Sequence, residues 1–539
     1  MRIGGQFGRL AGLGKGKGDA MAKSSVCVDW LLQKGWGTDA QQHGGRLTLV
    51  EQLCALLREG VATGALKPGT RLPATRELMR ELAVSRNTVA HAYEQLGVEG
   101  YLVSHVGSGT FVAQTTPESL LRAPRAARSG RTSVAVPAQR RREVVLSQGA
   151  QQVLAHASAA DRQWGAFMPG VPDVSQFPRA IYARILNRLW RHAQPEMLTY
   201  DTAGGALPLK QALVDYLRVA RSVQCAPEQI LITEGVHQAV DLTVRTLVDR
   251  YDAVWMEDPG YWGIANVLRM SPGVEVVGRA VDGEGITLDE QAAPPKLICV
   301  TPSHQYPLGT VMSLARRRAL LAYARKHGAW ILEDDYDSEF RFASRPIPAM
   351  QGLEQDAPVI YIGTFSKTLF PGLRVGYMVL PPELVTPMRR MHAELYREGH
   401  VVTQLALAEL IREGHYAAHI RRMRVLYGRR REWLRTLILR YLGEDFLVET
   451  DSQAGLQLVL RLPDQSDDVQ LAQTLQSRGV LGRPLSRYYR TTEPTKGLLL
   501  GYAAVPEETM QSAFFILLQT LKESGVRPSV RQGAFITTE

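Results

Sequence analysis

Apolar positions along the first hundred residues fall at helical spacing. In LTLVEQLCALLREGVATG (residues 47–64), Leu49, Leu53, Leu56 and Leu57 line one face. Pro68-Gly69 turns the chain, and Pro73 precedes a second helix that Thr75 can cap. Ser85 is the expected N-cap of a third, SRNTVAHAYEQLGVEG, which stops at Gly100. There Val89, Ala92, Tyr93 and Leu96 face inward, so the first turn exposes Arg86, Asn87 and Thr88, with Ala90 and His91 behind them. YLVSHVGSGTFVA then alternates in the strand manner about a turn at Gly107-Ser108-Gly109.

Three helices followed by a hairpin, with polar residues exposed at the start of the third helix, suit a helix-turn-helix with a wing. The third helix would enter the major groove, where Arg can read guanine and Asn adenine, while Ser and Thr bind phosphate or base. PGTRLPATRELMRELAVSRNTVAHAYEQLGVEGYLVSHVGSGTFV resembles the winged helix of the GntR superfamily of bacterial regulators. That resemblance implies that Arg76, Ser85, Arg86, Asn87, Thr88 and His91 contact double-stranded DNA, with Gly107 on a wing reaching the minor groove.

From about residue 165 the period changes. QILIT, AVWMED, KLICVTP, AWILEDD and VIYIGTF are strand-length apolar runs separated by helical stretches such as VHQAVDLTVRTLVDRY. This alternation predicts a parallel sheet covered by helices on both faces, with ligands beyond the carboxyl ends of the strands. The polar residues ending these runs should therefore share one site, from Thr233-Glu234-Gly235 through Asp258-Pro259-Gly260-Tyr261 and Glu333-Asp334-Asp335-Tyr336 to the run Gly363 to Lys367. A lysine amine in such a site can form a Schiff base with an aldehyde, and a carboxylate can keep a pyridine nitrogen protonated. A glycine-containing strand-to-helix turn, TEGVHQ, offers backbone N–H groups to a phosphate, to which Thr364, Ser366 and Arg374 add hydroxyls and charge.

SHQYPLG, EDDYDSEF and GTFSKTLFPGLRVGY resemble fold-type I, class I aminotransferases, over roughly residues 165–525. The pairing of such a domain with a GntR-like winged helix resembles the MocR/GabR-like subfamily. The resemblance implies pyridoxal 5'-phosphate (PLP) on Lys367, Asp334 at the ring nitrogen, Tyr336 at the phenolic oxygen and Tyr261 on the ring face. It implies a phosphate cradle of Gly235, Val236, His237, Thr364, Ser366 and Arg374, and Tyr200 reaching the phosphate of a partner subunit in a head-to-tail homodimer. Two positions depart from the enzymes. Tyr306 stands where an asparagine would bond the phenolic oxygen, and Leu499 where an arginine would grip a substrate carboxylate. Arg487 is the expected replacement, with Arg483 and Arg490 as the other candidates. Both changes favour sensing of an amino acid, an amine or PLP itself over turnover. The expected function is a PLP-dependent, DNA-binding transcriptional regulator; the alternative is a working aminotransferase with an appended DNA module.

Charge sharpens the division of the chain. The net charge of +10 resides in two flanks, +4 over residues 1–46 and +6 over residues 113–142, while residues 47–112 balance at zero. The expected organisation is a flexible segment 1–46, a winged helix 47–113, a basic Pro/Arg-rich linker 114–150 without a stable element and a two-lobed α/β effector domain 151–539. Cys27, Cys54, Cys225 and Cys299 are scattered without metal-ligand spacing, so no metal is expected. No apolar run is long enough to span a membrane; the scattered cysteines suit a reducing cytoplasm, and the resemblance to bacterial regulators implies a bacterial one.

Overall fold

A computed structural model describes residues 27–34, 36, 48–105, 107–114, 144–155, 164–200, 203–342, 347–397, 399–448 and 454–528. The chain divides into two units, one ending at Arg141 and the other beginning at Arg142.

In the first unit, helices α1 (residues 27–33), α2 (Leu49–Ala62), α3 (Thr75–Glu81) and α4 (Arg86–Val98) precede an antiparallel hairpin of β1 (Leu102–His105) and β2 (Gly109–Val112). Thr48 and Glu51 start α2 by a reciprocal capping box. Ala74 rather than Thr75 occupies the N-cap of α3, and the Glu77 carboxylate accepts its N–H at 3.3 Å. Ser85 caps α4, its hydroxyl accepting from the Thr88 N–H at 3.1 Å. Leu53, Leu57, Leu78, Val89 and Leu96 share one core. Tyr93 ties α4 to the turn before α3 by donating to the Pro73 carbonyl at 3.0 Å.

Residues 27–33 overturn part of the expectation for the N-terminal segment. They form a helix, because Cys27, Val28 and Leu31 fall on one face and are buried in that core, while the Trp36 indole donates to the Leu82 carbonyl. The linker also ends earlier than expected. Gln148–Ala155 is helical and belongs to the second unit, where Gly149 passes so close to another helix that a Cβ would lie 2.9 Å from the Arg269 carbonyl oxygen. Residues 1–26 and 115–143, which carry most of the flanking charge, lie outside the described residues.

The large lobe of the second unit is built on a mixed sheet. Its strands are β3 (Ile230–Thr233), β4 (Ala253–Asp258), β5 (Glu275–Asp282), β6 (Gly285–Ile286), β7 (Leu297–Val300), β8 (Trp330–Asp335), β9 (Val359–Thr364) and β10 (Gly376–Val379). Their order is β3-β10-β9-β8-β7-β4-β5-β6. All five runs read from the sequence are strands here. The sheet is not wholly parallel: β10 runs antiparallel to both neighbours, because the loop from β9 is too short for a crossover. Thr364 pairs with Gly376, and the Phe365 N–H with the Val375 carbonyl, so the loop holding Lys367 is pinned at both ends. The smaller lobe carries β11 (Gln457–Arg461), β12 (Arg483–Pro484) and β13 (Gly497–Gly501) in the order β11-β13-β12.

A buried ion pair fixes the strand beneath the site. Arg221, at the end of the helix Leu207–Arg221, donates to Asp335 at 2.6 Å and to Ser303 at 2.6 Å, and Tyr361 donates to the same carboxylate at 2.6 Å. Arg221→Met leaves the Asp335 charge buried without its cation and should cost ~3–5 kcal/mol in urea unfolding of this unit. Wild-type stability in that variant would contradict the role of the pair.

Candidate functional site

The carboxyl ends of β3, β4, β7, β8 and β9 open onto one cavity of about 400 Å³. Its walls include Val236, His237, Tyr261, Tyr306, Asp334, Tyr336, Thr364, Ser366, Lys367 and Arg374, ten of the twelve cofactor residues expected from the sequence. Gly235 lies directly behind them. A Cβ there would sit 3.4 Å from an Arg374 guanidinium nitrogen, so the glycine lets the cation close on the helix end.

Burial sets the electrostatics. The Lys367 amine donates to the Gly170 carbonyl at 2.8 Å. Burial lowers its pKa, against the opposing fields of Asp337 and Asp334, and so favours the neutral, nucleophilic form. Asp334 is pushed up to about 7 by burial and then by Asp335 beside it, while Lys367 opposes the shift. Its Oδ1 is buried without a hydrogen-bond partner among the described residues. An orphaned carboxylate oxygen on a cavity wall is costly unless a ligand brings it a donor.

Across the cavity, the helix Val236–Leu247 begins at Gly235, whose φ of 98° needs glycine. The first bond of this helix runs from the Ala239 N–H to the Gly235 carbonyl, so the preceding N–H groups lack intrahelical acceptors. Arg374, Thr364 and Ser366 lie on the cavity wall with the helix start, a concave set of donors that would suit an anion, and the Thr364 hydroxyl orders the turn by accepting from the Ser366 N–H at 3.1 Å. Burial lowers the pKa of His237, with Arg374 and Lys367 adding to the effect; it bonds the Tyr261 hydroxyl at 3.0 Å. Tyr261, Tyr306 and Tyr336 pack edge to face, and the Tyr306 and Tyr488 hydroxyls meet at 3.1 Å. The residues present therefore fit a planar pyridine ring with an aldehyde and a phosphate. Asp334 would meet the ring nitrogen, Lys367 the aldehyde, Tyr261 the ring face and the Arg374 cradle the phosphate.

Other expected residues lie elsewhere. Tyr200 is 68% exposed and off this cavity, under the Arg397 guanidinium. Arg487 is exposed on the short helix Leu485–Tyr488, whereas Arg483, on β12, lines the wall. The backbone of Arg490 is held by Asp258 instead. Asp258 accepts from the N–H groups of Arg490, Thr491 and Thr492 at 2.8–2.9 Å, joining the large lobe to the loop after Arg483 and Tyr488. Burial pushes its pKa up, but these bonds hold it below the ordinary value.

Gly170, Trp262, Arg483 and Tyr488 also line the cavity. Only Arg483 had a sequence signal, as an alternative to Arg487. The Gly-Val-Pro-Asp turn that supplies Gly170 is anchored by a buried pair, Arg430 to Asp173 at 2.8 Å.

In the first unit Arg76, Ser85, Arg86, Asn87 and His91 are exposed and Thr88 is half-buried beside its cap. Gly107 lies exposed in the hairpin turn, with φ 78°.

The raised pKa of Asp334 has a stability consequence. The folded state holds this proton to about pH 7 and the unfolded chain releases it near 4, so ionisation costs stability increasingly between them. At about 1.4 kcal/mol per pH unit the ceiling is ~4 kcal/mol. Without PLP, Asp334→Asn should melt higher than wild type at pH 8, with the gain gone by about pH 4, and should bind PLP less tightly. An unchanged melting difference across that range, or undiminished PLP affinity, would contradict this environment.

Comparison with known proteins agrees with both units. Residues 49–112 match the family of bacterial regulatory proteins, gntR, and residues 167–514 match aminotransferase class I and II. A probable rhizopine catabolism regulatory protein, MocR, from Rhizobium meliloti is 40% identical over 90% of this chain and 96% of its own length. The pyridoxine biosynthesis regulator PdxR of Corynebacterium glutamicum is 32% identical over 85% of this chain and 93% of its own. Among solved structures, LysN, the α-aminoadipate aminotransferase of Thermus thermophilus, complexed with N-(5'-phosphopyridoxyl)-L-leucine, superposes with a TM-score of 0.63 at 25% identity, covering 70% of this chain and 97% of its own. With the winged helix and the aminotransferase domain both matched, and a relative this similar along nearly its whole length, the chain belongs to the MocR-type branch of the GntR family.

Proposed function

We propose that this protein is a transcriptional regulator whose second unit binds PLP and uses it to sense an amine, an amino acid or PLP itself, so setting DNA binding by the first. The observation that carries this reading is the orphaned Asp334 oxygen sharing a buried cavity with the Lys367 amine. PLP, when bound, supplies an aldehyde that condenses with amines and a ring that withdraws electrons. The protein's share is to offer Lys367 as an amine that loses its proton more readily than in water, hold the ring-nitrogen proton at Asp334, and anchor the phosphate at Val236, His237, Thr364, Ser366 and Arg374. A relative described as a pyridoxine biosynthesis regulator makes PLP a candidate effector in its own right.

Sensing is favoured over turnover by what stands at the enzyme positions. Leu499 is buried against Val459, Leu485 and Tyr488, an apolar cluster that cannot hold a carboxylate. Arg483, rather than Arg487, is the proposed carboxylate ligand, because it is on the cavity wall. Tyr306 leaves the site without the usual amide. Residual transaminase chemistry stays open through Lys367 as a proton carrier. Tyr200, with Trp190, Leu198 and Leu207 exposed in the same segment, supports a homodimer, proposed as head to tail, in which Tyr200 reaches the partner's phosphate. Arg76, Ser85, Arg86, Asn87, Thr88 and His91 are the proposed DNA contacts, with Gly107 on the wing.

Titrating PLP into the protein should produce a visible absorption band at one equivalent per chain, absent in Lys367→Ala. An effector should shift that band lastingly without release of a keto acid. Steady keto-acid release would favour the enzyme reading, and a Lys367→Ala variant with the same band would remove the lysine from its role. Arg86→Ala should weaken binding to a selected operator by ~1–3 kcal/mol, roughly fivefold to 150-fold, if Arg86 reads a base. Unchanged affinity in a gel-shift titration would sink that assignment.

A further inference from the structure

Behind Tyr336 lies a pair that the sequence did not single out. His304, in the loop after β7, is 4% exposed, and Asp337, just past β8, is 1% exposed. His304 Nδ1 stands 3.1 and 3.2 Å from the two Asp337 carboxylate oxygens and 2.9 Å from the Tyr336 hydroxyl. One nitrogen thus faces three oxygens. A bare Nδ1 would set its lone pair against a buried carboxylate, which has no other side-chain partner among the described residues. Nδ1 must therefore carry a proton, in either the neutral or the charged ring, and donate it to Asp337. Tyr336 then stands beside a donor and can only turn a lone pair toward it. Its own O–H has no other acceptor among the described residues, and its side chain lines the cavity.

We propose that the His304–Asp337 pair is a positioning device that turns the Tyr336 proton into the cavity, making Tyr336 an obligatory donor to an anionic oxygen of the bound ligand. This rests on the PLP reading above, under which that oxygen is the phenolic oxygen of the ring. The small lobe holds the pair in place. Gly455, with φ 85°, lies against the imidazole so closely that a Cβ would fall 2.1 Å from its Cε1. Gly455 is itself bonded to the Phe340 carbonyl at 2.9 Å. Among the described residues, the other titratable groups that feel Asp337 are Asp334, Lys367, Arg341 and Tyr502.

The test is the pH midpoint of the visible band of the PLP-loaded protein. A donor to the phenolic oxygen stabilises its anionic form, so losing the donor should raise the midpoint, by about one pH unit. Tyr336→Phe and His304→Ala should both raise it, and the double variant should move no further than Tyr336→Phe alone. Asp337→Asn, which keeps shape and packing, should raise it too. The neutral amide no longer compels Nδ1 to carry a proton, so a bare Nδ1 can accept from the Tyr336 hydroxyl and draw its proton away from the cavity. A wild-type protein without a band would overturn the PLP reading itself. A normal wild-type band with unmoved midpoints in His304→Ala and Asp337→Asn, or with shifts that add to that of Tyr336→Phe, would overturn the positioning role alone.

Discussion

The cavity of the second unit is organised around an unmet electrostatic demand. Asp334 holds a buried carboxylate oxygen with no donor among the described residues, in a field that Asp335 makes more negative. Hydrophobic burial alone would select against such a group. It persists because the surrounding scaffold is over-determined. Arg221 and Tyr361 neutralise and fix Asp335 on the far side of β8, and the Lys367 loop is clamped between β9 and β10. The scaffold carries the cost, and a cationic ligand atom recovers it.

The anion cradle and the aromatic walls answer the rest of the same ligand. A helix N-terminus with Arg374 beside it would attract a phosphate, while Tyr261, Tyr306 and Tyr336 bound a flat apolar slot. The Asp258 clasp and the close approach of Gly455 to His304 tie the small lobe to this slot from two directions. Any ligand that alters the fit between lobes would therefore act on contacts at the ring as well as on Arg483. That is the physical route by which occupancy could become a conformational signal.

Much of this was legible from residue order because its causes are local. Strand ends are marked by polar residues after apolar runs, and α4 by a serine cap with apolar residues at i, i+3, i+4 and i+7. Features without a local signal have non-local causes. The direction of β10 follows from a loop length, not a composition. The helix at 27–33 is short and lies in glycine-rich surroundings, so its stability comes from the packing of Cys27, Val28 and Leu31 rather than from propensity, while Gln148–Ala155 buries no residue and is marked only by the close approach of Gly149 to Arg269. Arg483 and Arg487 are indistinguishable in sequence, and only the bend at Leu485–Tyr488 turns one inward and the other outward. His304 and Asp337 meet across 33 positions, with no motif to announce them.

The central claim is that occupancy of the Lys367 cavity governs DNA binding by the other unit. It is tested most directly by measuring fluorescence anisotropy of a labelled operator, selected from a random DNA pool, with the full-length protein free of PLP and saturated with it. Lys367→Ala serves as the comparison. The account predicts that PLP, or PLP with an effector amine, changes operator affinity in the wild type by at least about fivefold, as a typical coupling energy would, and leaves Lys367→Ala unmoved. Equal affinity in all wild-type states, or an equal response in Lys367→Ala, would contradict it.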